Sequence, residues 1–169
     1  MKTYQDFVAV GEDEKARMSF ILGAINEYKA DHRTRLAANA NKYYHGENPT
    51  INKYEKIIYD MQGKAHRDMY TANHKIASKF FGLVVDQEVS YLLGNGVSFQ
   101  KPETKKALGA TFDEDIMDAA RHALIDGQSF VFWNLDHVQV FAAEEFVPLY
   151  DEEDGSIKAG IRFWQVADN

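Results

Sequence analysis

Apolar residues recur at three- and four-residue steps along three long stretches of the chain, and the period shortens to two after residue 127. The first stretch, about Asp13 to Asn39, sets Met18, Ile21, Ile25, Tyr28 and Leu36 among Glu, Lys and Arg and predicts an amphipathic helix. It gives way to NANKYYHGENPTI, where Asn, Gly and Pro punctuate and no period survives. A short helix is expected over Lys53 to Tyr59, and the polar run Met61 to Met69 reads as an exposed connection. The second long helix is expected from Asn73, a suitable N-cap, to about Leu93. Ile76, Phe80, Val84 and Tyr91, flanked by Phe81, Val85, Val89 and Leu92, give it a broad apolar face. Gly94 then stands where a left-handed C′ residue belongs. The third long helix, about Phe112 to Ile125, opens on Thr111 and Glu114 at capping-box spacing and closes at Gly127. Asp113 and Asp115 complement its dipole.

Beyond Gly127 the segments SFVFW, HVQVFA, EEFVPLY and IKAGIRFWQV are β-rich or alternate, separated by NLD and by the acidic turn DEEDGS. Long helices come first and one small antiparallel sheet after them, so the expected class is α+β, helical over 13–126 and β-rich over 128–166. The 169 residues fit one domain over 1–169 with a core of its own. No repeat or low-complexity segment interrupts it, and the chain stops at VADN directly after a strand.

Composition narrows the chemistry. With no cysteine, disulfides, thiolate catalysis and Cys-based zinc sites are excluded. The N-terminus has no apolar h-region, and the longest apolar runs are far too short to span a bilayer. The net charge of −7 is unevenly spread: residues 1–84 carry thirteen Lys and Arg against ten Asp and Glu, residues 85–169 six against sixteen. An acidic half is a poor grip for nucleic acid, which is held by cations that displace condensed counterions. It suits a solvated surface, or one that lets DNA pass without holding it.

The stretch VDQEVSYLLGNGVSF poses the sharpest chemical question, because Gly-Asn-Gly could cradle a phosphate. A dinucleotide site needs its glycines after a strand and before a helix, so that helix amides meet the phosphate. Here the helix precedes the glycines and Phe99 stands in place of the third, so helix termination is the better reading. DEEDGSIKAGIR fails the calcium-loop pattern, since counting from Asp151 puts Gly155 at position five and Arg162 at twelve. The six histidines have no metal-binding spacing, Ser129 lacks a nucleophile elbow, and the carboxylates at 113–118 fit a helix start. No catalytic residue, metal ligand or cofactor follows from these patterns.

The order of the landmarks carries more. KYYHGENPTI, then NHKIASKFFGLVVDQEVSYLLG, DGQSFVFW, EEFVPLYDEEDGS and AGIRFWQ follow one another over residues 10–166. This succession resembles the portal proteins of tailed double-stranded-DNA phages, in the siphophage branch. The matching motif positions are Tyr43, Tyr44, Gly46, Asn73, Ile76, Asp86, Tyr91, Gly94, Gly127 and Pro148. Asn95-Gly96 departs from the family, which often has Pro after the glycine. Portal subunits are also longer, with stem, clip and crown elements after this region that are absent here. The resemblance therefore implies the N-terminal, wing-type portion of a portal, with a structural role and no enzyme activity or cofactor. It implies a homo-oligomeric ring of about a dozen subunits at one capsid vertex. Its partners would be terminase, capsid or scaffold, and head-completion proteins, with double-stranded DNA passing through unread. Its place would be the virion and, during assembly, the host cytoplasm, without a membrane. The alternatives are a non-catalytic protein-binding adaptor, marked by a large exposed apolar patch on the first helix, and an enzyme of unrecognised type, marked by a pocket with converging titratable groups.

Overall fold

The computed structural model describes residues 2–164 and 166; Gln165 of the expected last strand and Ala167, Asp168 and Asn169 of the VADN end lie outside the described residues. Local capping explains how the helical half is divided. Helix α1, Tyr4–Ala9, starts on a capping box in which the Thr3 hydroxyl accepts from Asp6 N while Asp6 accepts from Thr3 N. Helix α2, Glu14–Ala30, is capped by Asp13, whose carboxylate accepts from Lys15 N.

The single helix expected over Asp13 to Asn39 is two helices. At Asp31 the backbone turns extended (φ −61°, ψ 142°), and its carboxylate accepts from Arg33 N at 2.8 Å to cap α3, His32–Tyr44. Asp31 thus closes α2 through its own N–H and opens α3 through its side chain. A competent N-cap in mid-pattern outweighed an uninterrupted apolar period. Met18 and Leu36 are exposed, whereas Phe20, Ala24 and Tyr28 are buried.

The segment from 48 to 79 departs furthest from expectation. Asn48 caps a short helix α4, Pro49–Lys53, with Pro at its first turn. Instead of a Lys53–Tyr59 helix, Ile57–Tyr59 forms strand β1, which pairs antiparallel with β2, Ala65–Arg67, inside the expected connection. The Asp60 carboxylate accepts from Gln62 N and Lys64 N and so folds the turn between them. Helix α5 runs from Phe80 to Leu93, seven residues short of the expected start at Asn73. Helix α6, Pro102–Ala107, was not legible as a period, and α7 spans Phe112–Asp126.

The β-rich end is antiparallel as expected, so the class is α+β. Its strands are two separate hairpins rather than one sheet. β3, Ser129–Trp133, pairs with β4, Val138–Ala142; β5, Phe146–Tyr150, pairs with β6, Ile157–Arg162. Pro148 lies almost wholly buried in β5 opposite Gly160, where a two-stranded hairpin asks nothing of its missing N–H on the outer side. The Phe146 ring fills the space that a Cβ at Gly160 would need.

Two hydrophobic clusters hold these parts together. In one, Phe20, Ala24 and Tyr28 of α2 pack on Val147 and Leu149 of β5. In the other, Val85 and Val89 of α5 pack on Ile125 of α7, with Ala40 and Tyr44 of α3 against them. Helix α7 also lies on the β3–β4 hairpin and links the two halves.

Candidate functional site

The motif residues of KYYHG and of FFGLVVDQ, forty residues apart in sequence, meet where the end of α3 crosses α5. Tyr44 OH donates to Asp86 Oδ1 at 2.9 Å, and the Arg121 Nε of α7 donates to the same oxygen at 3.3 Å. Arg121 also pairs with Asp118 one turn earlier, so one guanidinium ties α7 to the α3–α5 crossing. Burial, with Asp86 beside it, holds the Tyr44 hydroxyl above the usual phenol range, so it remains a donor. The crossing is close because residue 82 is glycine: a Cβ there would sit 2.8 Å from the Tyr44 carbonyl oxygen. An open cavity of about 640 Å³ lies beside it, lined by Tyr44, His45, Lys79, Phe80, Leu83 and Asp86.

Gly46 ends α3 with φ 82°, its N–H donating to Tyr43 O at 3.0 Å, and Lys79 packs where a Cβ would project. Tyr43 itself is exposed. The remaining motif positions lie elsewhere. Asn73 caps no helix; its Nδ2 donates to Tyr54 O at 3.1 Å and pins the segment before α5. Ile76 precedes the helix and is 84% exposed, and Tyr91 is 88% exposed on the outer side of α5. Only Val85, Val89 and Gly82 of that helix turn fully inward, so the broad apolar face faces largely outward.

Gly94 is right-handed (φ −59°); Gly96, at φ 71°, makes the left-handed turn. The Gly-Asn-Gly break does meet an anion, the chain's own: Asp113 Oδ1 accepts from Val97 N at 3.0 Å, and Lys105 pairs with the same carboxylate. Lys105 and that amide hold Asp113 below the usual carboxylate range. Asp113 and Asp115 do lie in the first turn of α7, as expected, but the capping box does not form. Thr111 makes no cap bond and instead donates to Asp115. Gly127 closes α7 in the left-handed conformation (φ 78°), as its position after the last periodic residue predicts.

A second polar cluster lies at the opposite end of α7. Asp126, whose side chain is fully buried, accepts from Asn41 Nδ2 at 2.6 Å and from Ala143 N at 3.3 Å. Asn41 also donates to Glu144, so α3, α7 and the β4–β5 connection share one network. His122 Nδ1 stands 3.7 Å from Asp126, an ion-pair distance, and that carboxylate holds the imidazole above its usual range against the opposing effect of burial. Glu144 is raised by burial and by Asp126. Neither Asp126 nor Arg121 stood out in the sequence. Gly82 inside an apolar helical run was the one legible signal of a close crossing.

The geometry is that of a joint between helices. No group of three or more potential metal ligands is gathered among the described residues. No helix among them is long and apolar enough to cross a membrane. Among curated proteins, none matches the chain. The model of the family described as "Phage portal protein, SPP1 Gp6-like" matches residues 25–169, which spans the α3–α5–α7 joint and both β-hairpins of the second half. The chain therefore belongs to the SPP1 Gp6-like phage portal protein family, whose role in the virus particle is structural.

Proposed function

We propose that the chain is the wing-type, N-terminal portion of a portal subunit, folding as one unit over residues 1–169. In this reading it serves in the ring through which double-stranded DNA is packaged and ejected, and which joins capsid, terminase and tail. The observation that carries the reading is the family match from residue 25 to 169. The side chains support a mechanical role: the Tyr44–Asp86–Arg121 and Asn41–Asp126–Ala143 networks fix helix positions and present no nucleophile paired with a base. The acidic second half fits a surface that repels the DNA backbone.

Negative-stain microscopy of the full-length subunit that contains this portion, with light scattering for mass, tests this. Closed rings of uniform subunit number are expected, and a protein that stays monomeric at every concentration overturns the reading. The adaptor reading draws on the exposed apolar side chains of α5 and of the β1–β2 region. It predicts a stoichiometric complex with a different protein and no self-association.

A further inference from the structure

The chain carries two exposed apolar surfaces, one with unpaired lysines and one with a glutamate, and neither is covered by another element among the described residues. One is the arm built from residues 53–79. All six residues of its β1–β2 hairpin are exposed, as are Tyr54, Met61, Met69 and Tyr70, the last at 91%. The arm holds six Lys and Arg against three Asp and Glu. Each of those acids is already engaged inside the arm: Glu55 by Arg67, Asp60 by His66, Asp68 by Lys56 and Thr71. Lys53 and Lys64 are left as its exposed cations, with no acid of the arm paired to them.

The other surface is the outer side of α5, a shallow groove of about 540 Å³ lined by Val84, Gln87, Glu88, Tyr91 and Leu92. Helix α5 carries no Lys or Arg, and Glu88 is the charged residue of the groove's lining; Asp86 of the same helix is already held by Tyr44 and Arg121. Tyr, Met and Leu presented with charge of one sign on each face, and opposite signs between faces, is how two different patches recognise each other. A head-to-tail contact needs two such unlike, complementary surfaces on one chain, and repetition of it generates a ring.

We propose that the basic arm of one copy seats on the α5 groove, beside Glu88, of a second copy. This inference rests on the ring reading above and names the surfaces that would make the ring. Because the chain has no cysteine, introduced thiols report on it without background. Met61→Cys on the arm and Leu92→Cys on α5 are made as separate variants, mixed in equal amounts and treated with a short bismaleimide. The expected product is a dimer containing one chain of each variant, and the doubly substituted chain should give a ladder of multimers. Glu88→Lys or Lys64→Glu alone should lower the yield severalfold, and the two combined should restore it. Links only between like variants, or no links, overturn the proposal. Rings seen by microscopy without the mixed link overturn this contact and leave the ring reading standing. The mixed link in open chains without closed rings upholds the contact and overturns the ring reading.

Discussion

At the residue scale the most informative group is His122. Its imidazole is raised chiefly by Asp126, so the folded state binds its proton more tightly than the unfolded chain does. The stabilisation is fully present below the unfolded value, about pH 6.5, and is lost as pH rises through the higher folded value. Glu144 acts in the same sense at lower pH, because its raised value also makes the folded state favour the protonated form. Melting temperatures measured near pH 6 and near pH 8 should therefore fall more in the native protein than in His122→Gln. Equal falls would show that the pair contributes nothing to stability. Sequence gave no hint of this residue, since the spacing of the six histidines carries no information on which one meets a buried carboxylate.

At the scale of elements, caps decided what periodicity could not. Asp31 interrupts an apolar pattern that continues through it, whereas Thr111 and Glu114 have the spacing of a box that does not form. The expected contrast is direct: Asp31→Ala should cost about 1 kcal/mol, and Thr111→Ala clearly less, in urea unfolding followed by circular dichroism. Similar costs would mean that Thr111 caps α7 in solution. The same competition explains the late start of α5. Asn73 spends its amide on Tyr54 O and Lys75 its ammonium on Asn52 O, so residues 73–79 hold the arm instead of adding two turns to the helix. Period and propensity are local, but these bonds reach back nineteen and more residues.

At the scale of the molecule, Asp126 joins parts that no local rule connects. Replacing it with Ala leaves Ala143 N without its acceptor in a buried place, whereas Asn41 Nδ2 keeps Glu144 and Ala37 O. A cost of about 1–3 kcal/mol follows for the donor so stranded. Hydrogen exchange at Ala143 should accelerate in Asp126→Ala beyond what global destabilisation accounts for, because the β4–β5 connection loses its anchor to α7. Exchange that tracks global stability alone would place the anchor elsewhere. Charge acts at the same scale. If the arm and the α5 groove meet between copies, self-association should weaken as salt rises, since exposed charges are screened within about 8–10 Å at ordinary ionic strength. Association that is indifferent to salt, measured by sedimentation, would remove charge from that contact.

The sequence by itself determined the α+β class, the three long helical stretches, the β-rich end, the stop at Gly127 and the family. Each of these depends on residue order over a few turns or strands, where side-chain periodicity, turn residues and motif succession are read directly. The break at Asp31 is a local cap that the apolar period masks, and tertiary packing settled the rest: the β1–β2 arm, the outward-facing α5 and the two hairpins in place of one sheet. It also brought Tyr44 to Asp86 and Arg121, and turned the Gly-Asn-Gly break toward Asp113. Which face of an apolar helix is buried depends on what lies opposite, and hydrogen-bond partners forty or a hundred residues away leave no trace in local pattern.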